Sequence, residues 1–213
     1  MELYGRNCAL NVQKVMWLLE ELHLPYTQHE VGGPFGGLDN PTFRALNPLG
    51  KVPVLIEDNR AIWESHTILR YLAANYGSGQ WWPSCPYERS LFERWQDWMQ
   101  VSFQPAFMTL FWGYYRQPEA DRNADQIAAG LTQCQECLRL LDEHLANQSF
   151  LAGEQLSLAD ISTGVVFYRL TTQGIDIRLG IHVARWYKRL QVRDAYQKAV
   201  MTDYSTLKGR QMF

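Results

Sequence analysis

The chain has 213 residues, 46% of them hydrophobic, which suffices for one large domain or two modest ones with a buried core and excludes a disordered protein. Its 20 Lys and Arg are spread along the sequence with 22 Asp and Glu, giving a net charge of -2, so no basic surface for nucleic acid is expected. No apolar run reaches the about 18 residues of a membrane span, polar residues interrupt the N-terminal apolar segment where a signal peptide would lie, and the cysteines are too scattered for a disulfide framework, so we expect a cytoplasmic protein.

The first third of the chain alternates short strand patterns with helical patterns. Residues 3–4 lie in a strand pattern, and apolar residues recur at helical spacing over residues 12–22. Residues 52–56 and 61–63 flank a polar turn and predict a β-hairpin, which a further helix follows. The predicted order within residues 1–76 is therefore βαβ, an irregular segment, and ββα.

A Gly-, Ser- and Pro-rich stretch at residues 77–86 predicts a linker, and residues 87–213 have helical patterns throughout. Pro105 is expected to kink the helix that contains it. Apolar residues at helical spacing form a stripe over residues 127–145, which predicts a buried helix face. Residues 157–160 have the spacing of a capping box and predict a helix start.

Three motifs of the first domain stand in a characteristic order. They are the opening LYGRNCALNVQKV, the segment NPLGKVPVL, and the pair Glu64-Ser65 at a helix start. Together they resemble the glutathione transferase superfamily, and bacterial transferases with a GRN…NVQKV opening in particular. The resemblance implies an α/β thioredoxin-like glutathione-binding domain (1–76), a linker (77–86) and an all-α electrophile-site domain (87–213). It also implies glutathione as co-substrate.

The resemblance assigns glutathione-binding roles to residues of the second and third motifs. It implies a cis Val52–Pro53 bond that lets the Val52 backbone pair with the cysteinyl unit of the ligand. Ser65 and the helix N-terminus would bind the γ-glutamyl carboxylate, because unpaired N–H groups attract an anion there, and Glu64 would bind the amino group. Lys51 would bind the glycyl carboxylate. The alternatives are an ordinary trans proline, a helix cap without a ligand, and a surface lysine.

The opening loop is expected to stabilise the glutathione thiolate, since the free thiol has a pKa of about 8.5. Known members use a Tyr, Ser or Cys side chain there, and several bacterial relatives use Asn. The candidates here are Asn7, Cys8 and Asn11. A cysteine before a helix has a lowered pKa and could instead form a mixed disulfide with glutathione, which would make the protein a thiol-disulfide reductase. Backbone N–H groups alone are a third alternative, and Tyr4 is expected to pack within its strand.

The helical domain is expected to supply the pocket for the electrophile, which must be apolar. Candidate walls are Phe107, Phe111 and Tyr115, with Arg116 orienting a polar substrate; core packing and a solvated arginine are the alternatives. The resemblance also implies a homodimer in which Asp97 reaches the amino end of the partner's ligand.

The sequence thus predicts a transferase that adds the glutathione thiolate to small electrophiles, as in detoxification. The alternatives are the reductase and a non-enzymatic adaptor, because transferase-like folds also serve as interaction modules. Cys134 and Cys137 have the spacing of a redox or metal pair, but Cys134 lies on the apolar stripe. The five histidines form no cluster, so no metal is expected.

Overall fold

A computed structural model describes residues 1–211 of the chain, which form two compact units. The first unit comprises residues 1–82 and 194–202, and the second comprises residues 83–193 and 203–211. A segment that follows the helical part of the sequence therefore belongs to the first unit.

The first unit contains a four-stranded sheet with helices, in the predicted βαβ and ββα order. Its elements are β1 (Glu2–Tyr4), α1 (Leu10–Glu21), β2 (Thr27–His29), α2 (Pro41–Leu46), β3 (Val54–Glu57), β4 (Arg60–Trp63), α3 (Ser65–Tyr76) and the later helix α10 (Asp194–Ala199). The strand order is β2-β1-β3-β4. The pair β1–β2 is parallel, and the pairs β1–β3 and β3–β4 are antiparallel. The thioredoxin-like prediction is confirmed.

The segment between β2 and β3 is more regular than predicted. It contains a 3-10 turn at Gly33–Phe35 and the helix α2. The Asn40 side chain accepts a hydrogen bond from the Thr42 N–H at 2.9 Å, and Pro41 is the first helical residue. Asn as a cap and Pro in the first turn are strong start signals, so this helix could have been predicted from the sequence.

Helix α1 is covered on more than one side, which explains why residues 12–19 are all buried. It packs against α3 and against α10. Toward α10, the Trp17 ring meets the Tyr196 ring edge-on at 4.7 Å, and Gln13 Nε2 donates to Thr202 Oγ1 at 2.9 Å. Gln13 and Lys14 of α1 are therefore interior polar groups.

The second unit is helical in its described part. Its helices are α4 (Pro86–Trp98), α5 (Gln104–Leu110), α6 (Ala124–His144), α7 (Leu158–Gly164), α8 (Phe167–Thr172) and α9 (Ile181–Gln191). The helix around Pro105 changes to π-type geometry over Met99–Phe103, just before the residue that lacks an N–H. Cys134, Leu138, Leu141 and Leu145 are buried, which confirms the later part of the predicted stripe, whereas Ile127 and Leu131 are half-buried.

The capping box predicted at the start of α7 is present. Asp160 Oδ2 accepts from the Ser157 N–H and from the Ser157 hydroxyl, both at 2.9 Å. Its other oxygen accepts from the Leu151 N–H and from Trp186 Nε1, also at 2.9 Å. The carboxylate is fully buried, so it joins α7, α9 and the preceding loop through one acceptor group.

Candidate functional site

The three sequence motifs meet at one end of the sheet. The shared register of three neighbouring strands lines up Tyr4, Val54 and Trp63. The turn that follows β1, the residues that precede β3 and the residue that follows β4 therefore lie side by side, because paired strands are about 4.8 Å apart. Residues 5–9, 52–53 and 64 are thus brought together by strand pairing.

Gly5 allows the turn after β1 to approach β3 closely. Its φ is +145°, and a Cβ built on it would lie 3.1 Å from Cβ of Val52 and 2.4 Å from Cγ2 of Val12. A side chain here would overlap with the start of α1. The absence of a Cβ at Gly5 therefore keeps the turn against Val52.

Asn7 and Cys8 are the two central residues of a tight turn. The Ala9 N–H donates to the Arg6 carbonyl at 3.0 Å and closes this turn. Asn7 is exposed, whereas Cys8 is half-buried and forms no disulfide. The turn therefore presents one amide and one thiol directly before α1.

Helix α1 begins without a side-chain cap. Its first helical backbone bond runs from the Gln13 N–H to the Ala9 carbonyl at 2.9 Å. The N–H groups of residues 10–12 thus lack an acceptor within the helix, and they form its positive end. Asn11 is half-buried in this first turn, and its Oδ1 atom is buried without a hydrogen-bond partner among residues 1–211.

Tyr4 packs along the sheet, as expected. Its ring stacks on the His29 ring at 4.5 Å, and its hydroxyl donates to Glu2 Oε2 at 3.1 Å. Partial burial and this carboxylate raise the pKa of Tyr4. The Tyr4 hydroxyl is therefore engaged by a neighbour on its own strand.

The segment before β3 is held by a buried asparagine. Asn47 Nδ2 donates to the Lys51 carbonyl at 2.8 Å, and its Oδ1 accepts from the Leu49 N–H at 3.0 Å. The Val52–Pro53 peptide bond is cis, as the resemblance implied. Within residues 1–211, neither the N–H nor the C=O of Val52 makes a backbone hydrogen bond. Both groups therefore remain available to a ligand.

The start of α3 combines a strained residue with unpaired N–H groups. Glu64 is the N-cap and has φ 68° and ψ 119°, a conformation that is uncommon outside glycine. Ser65 is the first helical residue and is buried. The first helical bond runs from the Ile68 N–H to the Glu64 carbonyl at 2.9 Å, so the N–H groups of residues 65–67 have no acceptor within the helix.

A buried lysine lies behind this helix start. Lys14 of α1 is fully buried, and its Nζ is 3.1 Å from Nε2 of His66. Burial lowers the pKa of Lys14 to about 7, against the opposing effect of the Glu64 charge. Burial and the charges of Lys14 and Arg70 lower the pKa of His66 to about 2. His66 is therefore neutral and accepts from the ammonium, a pair that the sequence analysis did not assign.

The predicted pocket aromatics form a stacked column in the second unit. Ring centroids are 5.4 Å apart for Phe107 and Phe111, 5.2 Å for Phe111 and Tyr115, and 5.0 Å for Tyr115 and Tyr204. Phe107 and Phe111 are fully buried, and Tyr115 is 9% exposed. This burial favours the core alternative for the two phenylalanines.

Arg116 is also interior. Its Nε donates to the Arg210 carbonyl at 2.6 Å, and its guanidinium lies 4.2 Å from the Trp112 ring centroid. These contacts favour a role in holding the C-terminal segment of the unit over contact with a ligand. Asp97 on α4 is exposed.

Cys134 and Cys137 carry no sign of a redox or metal pair. Burial, with a smaller contribution from Cys137, raises the pKa of Cys134 to about 12, so its thiol stays protonated. Over residues 1–211 no group of three or more His, Cys, Asp or Glu side chains could hold a metal ion. In the same residues no helix has the length and apolarity to cross a membrane.

Both parts of the sequence match family descriptions. Residues 3–80 match the glutathione S-transferase N-terminal domain, and residues 124–189 match the glutathione S-transferase C-terminal domain. The chain belongs to the glutathione S-transferase family. It is therefore a transferase with glutathione as its co-substrate, and the adaptor alternative is wrong.

Several glutathione S-transferases match this chain over nearly its full length. Glutathione S-transferase GstB of Escherichia coli K12 is 37% identical over 205 residues, covering 95% of this chain and 99% of the relative. Glutathione S-transferase 3 of Zea mays is 27% identical over 215 residues, covering 94% and 93%. The theta-class enzyme of Xanthomonas axonopodis pv. citri, solved with glutathione bound, is 44% identical with a TM-score of 0.90, covering 95% and 97%.

Proposed function

We propose that the sheet end formed by residues 5–9, 52–53 and 64–65 binds glutathione, and that the enzyme adds its thiolate to small electrophilic substrates. The observation that carries this proposal is the strand register, which aligns three motifs that are far apart in sequence. The similar Xanthomonas enzyme, whose structure contains glutathione, supports it.

The peptide part of glutathione has a complementary group for each of its ends. The Val52 N–H and C=O, which lack backbone partners, would pair with the cysteinyl unit as an added strand does. The γ-glutamyl carboxylate would accept from the Ser65 hydroxyl and the free N–H groups of α3. Glu64 would accept from the ligand's amino group, and the exposed Lys51 would meet the glycyl carboxylate.

Thiol activation would occur at the turn before α1. A decrease of about two units in the thiol pKa corresponds to about 2.7 kcal/mol. Hydrogen bonds to a charged group contribute about 1.5–3 kcal/mol each, so one or two donors suffice. We assign these donors to Asn7, to Asn11 and to the unpaired N–H groups of α1.

A second candidate activity is glutathione-dependent disulfide reduction through Cys8. The observation that favours it is a half-buried cysteine, not in a disulfide, in the turn directly before an uncapped helix N-terminus. The Cys8 thiolate would attack the sulfur of a glutathione mixed disulfide, forming a Cys8–glutathione disulfide and releasing the substrate thiolate. The thiolate of a second glutathione would then attack the glutathione sulfur of this disulfide, which forms glutathione disulfide and releases the Cys8 thiolate.

The remaining assignments are expectations from the family resemblance. Residues 1–76, joined by the segment 194–202, would form the glutathione domain, residues 77–86 the linker, and the rest of residues 87–213 the electrophile domain. Tyr115, with the column of Phe107 and Phe111 behind it, would line the pocket. The enzyme would work in detoxification as a cytoplasmic homodimer, with Asp97 reaching the partner's ligand.

The test measures glutathione affinity and turnover together. Wild type should conjugate chlorodinitrobenzene or a haloacid with glutathione, and Ser65→Ala should weaken glutathione binding about 10-fold or more through loss of a charge-assisted bond. Ser90→Ala is the control, because the Ser90 hydroxyl bonds within its own helix to the Tyr87 carbonyl. No glutathione-dependent rate with a panel of electrophiles, or equal affinity in both variants, would contradict the proposal.

A further inference from the structure

The buried pair Lys14–His66 lies directly behind the proposed carboxylate subsite. His66 is the second residue of α3, between Ser65 and Thr67, whose N–H groups are also free of helical acceptors. The Lys14 ammonium reaches this turn from α1, with Nζ 3.1 Å from Nε2 of His66. Lys14 has no exposed surface, so it acts on a ligand only through the protein.

We propose that Lys14 is a positioning residue of the γ-glutamyl subsite, whose buried ammonium attracts the ligand carboxylate through the first turn of α3 and holds Glu64 at the helix start. The inference rests on the proposed function, which puts that carboxylate at the N–H groups of residues 65–67. It adds a buried positive charge to the helix dipole and the hydroxyl that the site offers a carboxylate.

Burial makes this charge effective. Coulomb interactions inside a protein are several-fold stronger than in water, and salt screens them little. A lysine is costly to bury, because desolvation disfavours its charged form. A bound carboxylate nearby offsets part of that cost by attracting the ammonium. Ligand binding therefore favours protonation of Lys14, and protonation favours ligand binding by the same factor.

The charges that shift the pKa values of Lys14 and His66 come from the pair itself and from the region of α3. The charged or titratable groups that face the pair from α3 are Glu64, His66 and Arg70. On the side of α10, Tyr196 and Lys198 of that helix and Thr202 just after it contact α1, and Lys198 is paired with Glu20 at 2.7 Å. His66 stays neutral above acidic pH because its pKa is near 2. Of Lys14 and His66, Lys14 is therefore the one that changes charge near neutrality.

The coupling has a definite sign. The pKa of Lys14 is about 7 without ligand and rises when the carboxylate binds. Binding is then tightest below pH 7 and weakens as pH rises toward the bound-state pKa. For a rise of one unit, the dissociation constant increases about fivefold between pH 6 and pH 8.

The experiment uses S-methylglutathione, which has no titratable thiol, and calorimetry at several pH values. Wild type should show the fivefold weakening, Lys14→Met should bind weakly at every pH, and Lys14→Arg should bind tightly at every pH because guanidinium stays charged. The ligand's amino group titrates equally in all variants and cancels in the comparison. A pH dependence retained in Lys14→Met would overturn the proposal.

Two further measurements keep the outcome decisive. Wild type at pH 7 should take up about 0.4 proton on binding, read from calorimetry in buffers of different ionisation enthalpy, which requires no variant to fold. No uptake would overturn the inference. If Ser65→Ala weakens binding while the Lys14 variants match wild type, this inference fails alone; if Ser65→Ala also has no effect, the proposed subsite itself is wrong.

Discussion

Replacement of Asp160 by Asn tests the acceptor that joins α7 to its neighbours. The substitution keeps the shape of the side chain but turns one acceptor oxygen into an NH2 donor. Asp160 accepts four hydrogen bonds, from the Leu151 N–H, Trp186 Nε1, and the N–H and hydroxyl of Ser157, all at 2.9 Å. The amide oxygen can keep the first two, and the Ser157 hydroxyl can rotate to accept from the amide.

One donor, the Ser157 N–H, then loses its acceptor inside the protein. A buried donor without a partner costs about 1–3 kcal/mol. The remaining hydrogen bonds become weaker because their acceptor is no longer charged. The substitution also removes the cost of burying a carboxylate, and this burial is what raises the pKa of Asp160 in the folded protein. These two effects oppose each other, so we expect Asp160→Asn to lower the free energy of unfolding by about 1–3 kcal/mol. Urea unfolding followed by tryptophan fluorescence measures this change.

Asp203 offers a matched control in the same unit. Its carboxylate accepts from the N–H and the hydroxyl of Ser205, both at 2.8 Å, but the residue is exposed. Water replaces a lost acceptor there, so Asp203→Asn should move the urea midpoint less than Asp160→Asn. Equal shifts for the two variants would refute the argument that burial of the unpaired Ser157 N–H determines the loss.

Three further outcomes follow from the site and the assembly. Gly5→Ala should destabilise the protein by about 1–3 kcal/mol and weaken glutathione binding, because the new Cβ would overlap Val12. Urea unfolding and calorimetry measure the two effects, and Gly79→Ala is the control because a Cβ at Gly79 would meet no atom within 4 Å. Cys8→Ala should keep the conjugation rate within about twofold of wild type. Asn7→Ala should lower the thiolate fraction of bound glutathione about 10-fold, as measured by ultraviolet absorbance. Loss of activity in Cys8→Ala with an unchanged thiolate fraction in Asn7→Ala would favour the reductase. Sedimentation should give a dimer, and a monomer at every concentration would contradict the family expectation.

The sheet end could be predicted from the sequence because its three motifs stand in the order found in the glutathione transferase superfamily. The cis Val52–Pro53 bond was expected from that resemblance and not from the dipeptide itself. The start of α2 has a local signal in Asn40-Pro41, an N-cap residue followed by a proline in the first turn. This helix could therefore have been predicted from the sequence as well.

Lys14 could not be assigned from the sequence, because its role depends on packing between distant segments. Periodicity put the apolar face of α1 at residues 12, 15, 16 and 19, and left Lys14 on the polar side. In the fold, α3 and α10 both pack on α1, and that side is buried as well. The segment that forms α10 follows the helical domain in sequence, so no local pattern connects it to the first unit.

The balance of energies at the turn before α1 identifies the group on which thiol activation depends most. The helix dipole contributes about 0.3–1 kcal/mol to an anion, whereas a two-unit decrease in pKa requires about 2.7 kcal/mol, so at least one direct hydrogen bond to the sulfur is also needed. The side chains of Ala9 and Leu10 have no hydrogen-bond donor, and the Cys8 thiol is only a weak donor. Asn11 has its side-chain oxygen buried, while Asn7 is exposed at the tip of the turn. We infer that the Asn7 amide supplies most of the missing stabilisation, with Asn11 and the N–H groups of the first turn of α1 supplying the rest.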